Sequence, residues 1–457
     1  MPSSGLLQLT RRHDRPTPRY TSYPSAAAFR EDIGDREYQQ RLAAINDPAR
    51  GPLSLYVHIP FCRERCHFCA CSVIATPRDD KVVEPYLEHL ERELALVADR
   101  LPRRRTLAQM HWGGGTPTYL SPDQIRRLAA SVARYFTFTD TAEVSVEVDP
   151  RVTTPEHLAA LRDAGFGRIS LGVQDLDDKV QAAIGRHQTW EQTEATLREA
   201  RDLGFGNSNI DLVYGLPGQS TASFQATVDA VIAFRPERIA VYGYAHMPGA
   251  RSNQRQLART LRPDTDARMA LAALGRRRFQ DSGYHAIGLD HFVLPDDDLA
   301  VAAENNRLQR NFMGYTVIQS QDLLGIGVTS IGDVGGTYIQ STKKLSVYYA
   351  QLRAGRFAIE RGYARTRDDE ARRYVINQLM CNLRVNRERT AASHGIGDFD
   401  AYFADAMLQL RALEEDDLIR DSGVELRVTA RGRPFLRTIA HCFDGTAAGR
   451  TAATRSI

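Results

Sequence analysis

Residues 53–71 read Leu53-Ser-Leu-Tyr-Val-His-Ile-Pro-Phe-Cys62-Arg-Glu-Arg-Cys66-His-Phe-Cys69-Ala-Cys71 and join a strand pattern to a cysteine cluster. Apolar side chains alternate over the first seven residues, which predicts a β-strand ending just before the cysteines. Four of the chain's six cysteines follow within ten residues, three of them in the spacing C-x3-C-x2-C. Electron-carrying iron–sulfur clusters have all their irons bound by protein, whereas three thiolates leave a position open for a small molecule, as in catalytic metal sites. We therefore expect a reactive inorganic centre.

The composition is that of an ordinary globular chain. Of 457 residues, 42% are apolar and 25% are charged, enough for two or more domains. The formal net charge of +3 is too small to predict nucleic-acid binding, and we expect the arginine runs 103–105 and 276–278 to be solvated.

The sequence predicts a cytoplasmic protein without a membrane span. No apolar run reaches the length of a bilayer, and the N-terminus lacks the apolar core of a signal peptide. Clustered cysteines in that compartment indicate metal ligands rather than disulfides. The isolated Cys381 and Cys442 are expected to be buried thiols without chemistry.

Strand and helix patterns alternate six times between about residues 53 and 290. Strands are expected at 53–59, 107–112, 143–149, 168–173, 209–214 and 238–242, and helices at 82–97, 121–135, 154–164, up to 203, and 220–234. This order predicts an α/β fold with a parallel sheet, either open or rolled into part of a barrel.

The polar motifs lie where these strands end. Because functional residues of such sheets gather at the carboxyl ends of the strands, we expect them to form one site. They are the cysteines after the first strand, Gly113-Gly-Gly-Thr-Pro after the second, Glu147 and Asp149 at the third, Gln174 after the fourth, Asp211 on the fifth, and Tyr244-Ala245 after the sixth.

Three of these motifs indicate a specific chemistry. The glycines at 113–115 let a ligand approach the backbone, although a tight turn is the structural alternative, and no P-loop lysine follows them. Asp211 interrupts an apolar strand, where a carboxylate is costly unless it is paired or liganded. Glu147 either accepts hydrogen bonds from a ribose or ammonium group, or is a satisfied buried carboxylate. His58 and His67 are expected to support the cysteines rather than to bind metal.

Two further motifs are candidates for substrate contact. Gly288-Leu-Asp290-His291 suggests acid–base work or a hydrogen bond to substrate, with a structural Asp–His bond as the alternative. The segment Pro18-Arg19-Tyr-Thr-Ser-Tyr-Pro24 mixes a cation with aromatic rings. It is either a substrate flap or an ordinary extended arm.

We expect five regions along the chain. Residues 291–365 are Gly-rich and mixed, and residues 366–445 combine helices at 368–380 and 399–415 with a hairpin at 418–429, which suggests a winged-helix-like module. The small, polar tail is expected to be frayed. The regions are an arm with the flap at 1–50, the β/α unit at 51–290, a segment completing it at 291–365, a mostly helical domain at 366–445, and the tail at 446–457.

At this point the chain resembles the radical S-adenosylmethionine (SAM) enzymes and, within them, the oxygen-independent coproporphyrinogen III oxidases. The cysteine spacing and Gly-Gly-Gly-Thr-Pro are shared by the broad group, whereas the N-terminal arm, Cys71 and the Asp-His-Phe segment are typical of the oxidases. The resemblance covers nearly the whole chain and implies a partial (β/α)6 TIM-like barrel. Segments that carry it include Arg19–Pro24, Tyr56–Cys62, His111–Tyr119, Ile210–Gly218, Tyr244–His246, Gly288–Phe292, Arg310–Tyr315 and Asp322–Gly327.

The resemblance implies a specific reaction. A 4Fe–4S cluster on Cys62, Cys66 and Cys69 would bind one SAM at its open iron and cleave it to a 5′-deoxyadenosyl radical. That radical would take hydrogen from a propionate β-carbon, and loss of carbon dioxide and an electron would leave a vinyl group. Two propionates of coproporphyrinogen III, on rings A and B, would be converted to give protoporphyrinogen IX.

The resemblance also places individual residues. Tyr56, Glu147 and Cys71 are the catalytic candidates, with Cys71 expected in substrate positioning or proton and electron handling. Arg19, Asp290 and His291 are the substrate-binding candidates, since arginine suits the four carboxylates of the substrate. The first SAM would contact Tyr56, Gly114, Glu147 and Ile331. A second SAM would contact Phe68, Gly115, Thr116, Gln174, Arg186, Asp211 and Ala245.

The proposed chemistry implies electron-transfer partners, and one main alternative function is left open. The cluster needs an electron donor such as flavodoxin or ferredoxin and an electron acceptor, and nothing demands more than a monomer. The main alternative is a haem-binding chaperone on the same scaffold, although its His-Asn-x-x-Tyr-Trp motif is replaced by Arg310-Asn-Phe-Met-Gly-Tyr315-Thr. The chain also departs from the oxidase pattern near its end, where Gly445-Thr-Ala replaces a usual tyrosine.

Overall fold

The computed structural model describes residues 4–257, 262–446 and 454–455. The N-terminal arm contains α1 (Ser4–His13), β1 (Pro16–Thr17) and α2 (Asp35–Ala44). None of the helices in these described ranges has the length and apolarity needed to cross a bilayer.

The next part of the chain alternates strands and helices as predicted. Its elements are β2 (Leu53–Ile59), β3 (Phe61–Cys62), β4 (Ile74–Ala75), α3 (Asp80–Arg100), β5 (Thr106–Gly114), α4 (Pro122–Tyr135), β6 (Thr137–Val148), α5 (Pro155–Asp163), β7 (Arg168–Gln174), α6 (Asp178–Ile184), α7 (Trp190–Asp202), β8 (Asn207–Tyr214), α8 (Thr221–Phe234), β9 (Arg238–Gly243), α9 (Thr265–Asp281) and β10 (His285–Ile287).

Short strands dominate the segment that follows. They are interleaved with two helices: β11 (His291–Val293), α10 (Asp298–Glu304), β12 (Gln309–Asn311), β13 (Gly314–Thr316), β14 (Leu323–Ile326), β15 (Ile331–Val334), β16 (Thr337–Ser341), α11 (Leu345–Arg353) and β17 (Ile359–Ala364). The C-terminal part contains α12 (Arg367–Asn382), β18 (Arg384–Asn386), α13 (Arg387–His394), α14 (Phe399–Tyr402), α15 (Ala404–Glu415), β19 (Ile419–Asp421), β20 (Glu425–Val428), α16 (Leu436–His441) and β21 (Thr454–Arg455).

One sheet organises the fold. Its strand order is β10-β11-β9-β8-β7-β6-β5-β2-β14-β15-β16-β17. The six predicted strands pair in parallel in their chain order from β2 to β9, and β14 adds a parallel neighbour to β2. The strands beyond β9 and β14 are antiparallel. The prediction of a partial (β/α)6 barrel is therefore confirmed, and segment 291–365 supplies strands on both sides of it.

Two helices begin with reciprocal caps. Ser121 caps α4 in a reciprocal bond with Gln124, and Thr189 and Gln192 cap α7 in the same way. The stretch to residue 203 is two helices, because Gly185 ends α6 with φ +64°. The stretch 399–415 is likewise broken at Phe403.

The two largest hydrophobic clusters form the core of the molecule. The larger fills the space between the sheet and its helices, with Trp112, Phe166 and Phe224 fully buried. The second unites the C-terminal helices with the arm, whose Tyr20 and Tyr23 pack among them. The predicted hairpin is confirmed as β19–β20, and β18 adds a third strand to it. The predicted fraying concerns residues that lie mostly outside those described, but Thr454–Arg455 pairs with Pro16–Thr17.

The prediction of solvated arginine runs is wrong at two positions. Arg104 is buried and donates from Nη1 to the Asp322 carboxylate at 2.7 Å. Its guanidinium also donates to the carbonyl oxygens of Ile45 and Gly51. Arg276 lies over the ring of Phe292, 5.7 Å from its centroid, on a cavity wall. Chain folding buries Arg104 and half-buries Arg276, which local composition does not reveal. Cys381 and Cys442 are buried as predicted.

Candidate active site

The cysteine loop is fastened at its base. Strands β3 and β4 pair in parallel, so that residues 62–75 close on themselves. The N–H of Ile74 donates to the Pro60 carbonyl at 2.7 Å, and that of Thr76 donates to Cys62 at 3.0 Å. The loop thus projects from the carboxyl end of β2 with a fixed entry and exit.

Two side chains from a distant 3-10 helix shape the loop from outside. Asn253 Nδ2 lies 3.0–3.1 Å from the carbonyl oxygens of Cys66, His67 and Cys69. Gln254 Nε2 donates to the carbonyl oxygens of Phe68 and Ala245, both at 3.0 Å. Sequence analysis missed both amides, because nothing local at Ser252–Gln256 indicates contact with residues almost 190 positions away.

Positive charge surrounds Cys66. Arg186 Nη1 lies 3.8 Å and Arg151 Nη2 3.9 Å from its Sγ. Both guanidinium groups also pair with Asp149, at 3.3 Å and 2.7 Å. Burial opposes ionisation of Asp149, but the charge of Arg186 and the hydrogen bond from Arg151 hold its pKa below the usual range. Arg186 is buried, contrary to the surface position typical of a lone arginine.

The glycine shelf lies directly against the loop. The N–H of Gly115 donates to Ile59 and that of Thr116 to Phe61, both at 2.8 Å. A Cβ at Gly114 would lie 2.3 Å from His58, and one at Gly115 would lie 2.7 Å from the Phe61 carbonyl oxygen. The shelf therefore requires glycine, because His58 and the start of the cysteine loop pack directly against it.

Tyr56 and His58 connect the sheet to the far end of the cysteine loop. The Tyr56 hydroxyl lies 3.0 Å from His58 Nδ1, and His58 Nε2 lies 3.3 Å from the Ser72 carbonyl oxygen. A carbonyl only accepts, so Nε2 carries the proton and Nδ1 accepts from Tyr56. Burial lowers the pKa of His58 and keeps the ring neutral. Tyr56 also stacks on His111 at 6.0 Å.

Glu147 and Asp211 face one small cavity inside the barrel. This space of about 110 Å³ is also lined by Tyr242 and His291. Glu147 accepts from the Gly114 N–H at 3.0 Å and lies 3.6 Å from His111 Nε2. Burial opposes ionisation of Glu147, yet these contacts keep its pKa below the usual value.

The pKa of Asp211 is shifted in the opposite direction from that of Glu147. Burial, with the charge of nearby Glu147, raises its pKa to about 7, although Asn209 donates to its carboxylate at 2.8 Å. The cost predicted for a carboxylate in an apolar strand is therefore only partly offset by the protein. A hydroxyl-bearing ligand would supply the missing donors.

Gln174 and Ile331 lie on opposite sides of this barrel mouth. Gln174 follows a bulge in β7 and has φ +71°, a strained value for a residue with a side chain. Ile331 opens β15 against Gly325, whose register partner in β2 is Tyr56. The candidates for the first SAM thus share the β2 side, and Gln174, Arg186 and Asp211 share the other.

Three candidate substrate contacts flank β9: Asp290, His291 and Arg19. His291 Nδ1 lies 2.8 Å from Asp290 Oδ1. Burial opposes ionisation of Asp290, but this bond and the charges of His291, Arg310 and Arg19 lower its pKa to about 2. Arg19 donates to the Gly243 carbonyl at 2.6 Å. The arm is therefore anchored beside the site.

The four clustered cysteines differ in their surroundings. Cys66 is buried, whereas Cys71 is exposed. Burial raises the pKa of Cys62 to about 11, so a thiolate there needs a cationic partner. A hydrogen bond from the Cys71 thiol lowers the pKa of Cys69 to about 6.

Comparison with known proteins identifies the family of the chain. Residues 56–231 match the radical SAM superfamily, and residues 366–435 match the HemN C-terminal domain. The chain is 41% identical to the oxygen-independent coproporphyrinogen III oxidase of Pseudomonas aeruginosa over 95% of each chain. The chain belongs to the oxygen-independent coproporphyrinogen III oxidases.

Further members of this oxidase family match nearly the whole chain. The oxygen-independent coproporphyrinogen III oxidase of Escherichia coli strain K12 is 42% identical, over 96% of this chain and 94% of its own. The solved coproporphyrinogen III oxidase (HemN) of Escherichia coli, a radical SAM enzyme, matches with a TM-score of 0.90 at 41% identity, covering 96% of this chain and 98% of that one. The oxidase prediction is confirmed, and the haem-chaperone alternative is not favoured.

The residues present fit the cofactors that this family implies, a 4Fe–4S cluster and SAM. Across the described residues, no three metal-ligating side chains converge on a single ion. A cluster instead distributes its cysteines over separate irons, which suits three thiols spread along one loop. Arg151 and Arg186 place positive charge beside Cys66, which suits a sulfur-rich anion.

Proposed function

We propose that this chain catalyses the anaerobic oxidative decarboxylation of the ring A and ring B propionates of coproporphyrinogen III, giving protoporphyrinogen IX. The observation that carries the proposal is the meeting of the cysteine loop, the glycine shelf and two carboxylates at one end of the barrel. Each vinyl group formed requires the loss of one hydrogen atom, one electron and one carbon dioxide.

When bound, a 4Fe–4S cluster and SAM would supply the radical chemistry that removes hydrogen from the propionate β-carbon. Cys62, Cys66 and Cys69 would hold the cluster. Asn253 fixes the loop that presents them, because it reaches three of the loop carbonyls at once. The burial of Cys66 excludes water from that side.

The first SAM would lie on the β2 side. Gly114 gives close approach to the backbone, and the ionised Glu147 accepts hydrogen bonds from its ammonium or ribose groups. Tyr56 presents a neutral phenol, since burial raises its pKa well above the usual value. Ile331 supplies an apolar contact from β15.

A second SAM would lie toward β7 and β8. Asp211 would accept ribose hydroxyls, which replace the solvent it has lost. Arg186 has its donors engaged by Asp149, Gln188 and the Gly172 carbonyl. We therefore assign Arg186 to the wall of this position, where it offers charge to the ligand carboxylate without leaving Asp149. The remaining contacts are Phe68, Gly115, Thr116, Gln174 and Ala245.

The residues that flank β9 would contact the substrate. Asp290 stays ionised at neutral pH and is a suitable acceptor for pyrrole N–H groups. His291 orients this carboxylate at 2.8 Å, and Arg19 offers a cation to a propionate. Cys71 is exposed beside the ligands and is assigned to proton transfer or positioning rather than to the cluster.

Several properties stay predictions. They are a flavodoxin or ferredoxin as reductant, a separate electron acceptor, a monomer, a cytoplasmic location, and division of the chain near residues 50, 290, 365 and 445. Size-exclusion chromatography and limited proteolysis test the oligomeric state and the boundaries.

The deciding experiment is an anaerobic assay of the reconstituted protein with coproporphyrinogen III, SAM and a chemical reductant. We expect protoporphyrinogen IX and two carbon dioxide molecules per substrate, with 5′-deoxyadenosine as coproduct. Equilibrium dialysis with labelled SAM counts the molecules bound, and two per chain are expected. SAM cleavage without any decarboxylated product would contradict the proposal.

A further inference from the structure

A second, larger cavity lies outside the barrel, beside the carboxyl half of β9. It encloses about 750 Å³, within the range of about 300–1,000 Å³ typical of small-molecule sites. Its walls come from the N-terminal arm, the ends of β8 and β9, α9, residues 289–292 and residues 430–437 at the start of α16. Separate parts of the chain therefore enclose it.

The side chains that line this cavity are predominantly cationic. Asp290 is the single acidic residue among the described residues that line it. Arg19 reaches it from the arm. The other lining arginines are Arg268, Arg276, Arg277, Arg431, Arg433 and Arg437.

The protein supplies few anions to these arginines. Arg433 donates to the backbone carbonyls of Gly288 and Ala286, and Arg437 to those of Pro18 and Thr17. Arg276 lies over the face of Phe292 and has no hydrogen bond or ion pair to a described residue. Among the described residues, Arg19, Arg268, Arg276, Arg277, Arg431 and Arg433 form no ion pair.

The electrostatic consequence supports an anionic ligand. Burial, followed by the charge of Arg276, lowers the pKa of Arg433 to about 10. Burial and the charge of Arg19 lower that of Arg437 to the same value. Cations that destabilise one another in a cavity are stabilised when a carboxylate enters between them.

The remaining walls are apolar. Val241, Met269, Leu289 and Phe292 line the cavity between the arginines. An apolar wall with cations at its rim suits a large ring compound that carries carboxylates at its edge.

We propose that this cavity anchors the carboxylates of the tetrapyrrole that are not being decarboxylated, with Arg276 as a principal anchor. The proposal rests on the function proposed above. Asp290 lines this cavity, while its neighbour His291 lines the barrel cavity together with Glu147 and Asp211. The two cavities are therefore neighbours, on either side of the chain at residues 290–291.

Arg276 is the most informative position to test, because its guanidinium has no hydrogen-bonded partner in the described residues that a substitution would break. Arg276→Gln removes the charge and keeps much of the side chain. Arg278→Gln is the matched control on the same helix, since Arg278 pairs with Asp229 at 2.5 Å and does not line the cavity. Arg268→Gln gives a second cavity variant on an earlier turn of α9.

The probes are coproporphyrin III and its tetramethyl ester, which has the same ring without the charges. We expect Arg276→Gln to weaken coproporphyrin III binding about ten-fold or more, since charged hydrogen bonds are lost. Arg268→Gln should weaken it in the same direction and Arg278→Gln should leave it unchanged. The ester should bind weakly and equally to all four proteins, and added salt should weaken only the acid.

Turnover separates this inference from the function on which it rests. In an active enzyme, Arg276→Gln should raise KM for coproporphyrinogen III with substrate-free SAM cleavage unchanged. Wild-type affinity in both cavity variants, or equal binding of acid and ester, overturns the inference even if the enzyme is active. If the wild type fails to decarboxylate, the proposed function falls, whereas charge-dependent loss of coproporphyrin binding still supports the cavity as a carboxylate site.

Discussion

Gly114 offers a test of how closely the glycine shelf fits the cysteine loop. We predict that Gly114→Ala destabilises the protein and weakens SAM binding. The new Cβ would lie 2.3 Å from His58 Cε1, and the backbone φ of +116° is unfavourable for alanine. His58 would have to rotate, which breaks its contacts with Tyr56 and the Ser72 carbonyl.

The size of the effect follows from two contributions. A residue with a side chain in this part of φ/ψ space costs about 1–3 kcal/mol. Overpacking against a fixed ring adds about 1–3 kcal/mol. Gly114→Ala should therefore lower the free energy of unfolding by about 2–6 kcal/mol.

Gly165→Ala is the matched control. Gly165 has φ +88°, but a Cβ there would meet nothing within 4 Å. Only the backbone strain of about 1–3 kcal/mol should appear. The difference between the two variants then isolates the contact with His58.

The assay is urea unfolding of the anaerobically reconstituted proteins, with SAM affinity measured by equilibrium dialysis. We expect Gly114→Ala to unfold at lower urea than Gly165→Ala and to bind SAM at least about ten-fold more weakly, equivalent to ~1.4 kcal/mol. If both variants unfold at the same midpoint and Gly114→Ala binds SAM like the wild type, the shelf is not as close to His58 as described.

Three further predictions follow from the site. Cys66→Ser should abolish the cluster while Cys71→Ser keeps its iron content, measured by iron analysis and absorbance; equal iron loss would make Cys71 a ligand. Asp149→Asn should destabilise the protein by about 3–5 kcal/mol, because it leaves the buried Arg186 without its carboxylate. The exposed Asp123→Asn should change urea unfolding little, and equal effects would contradict this account. The pKa of Asp211 is about 7 when folded and ordinarily 3.8, so its contribution to stability is complete below about pH 4 and is lost as pH rises through 7. Asp211→Asn should flatten that decline in the SAM-free protein, and an unchanged pH profile would refute the assignment.

Much of the fold follows from local pattern. The alternation at 53–59 lies within one element, so the sequence predicts that strand directly. The break at Phe403 was missed because helix-favouring residues continue on both sides of it. The site was predictable to the extent that parallel strands place their carboxyl ends at one edge.

Other parts of the site have no local signal. Asn253 and Gln254 shape the cysteine loop from a segment whose composition is unremarkable, and only the chain path brings them there. Arg104 was expected in solvent because its neighbours are charged, yet it is buried against Asp322, 218 positions away. Contacts of this kind depend on which elements fold back on one another.

The amino-acid sequence by itself determined the strand and helix order, the three-cysteine loop and the family, since spacing and periodicity act over a few residues. The tertiary structure decided which charges are buried and what they face. Arg19, Arg276 and Arg437 lie far apart in the chain and line one cavity only because the arm, α9 and α16 pack together. Because burial removes water that would screen charges, these cations act on one another more strongly there than they would in solvent.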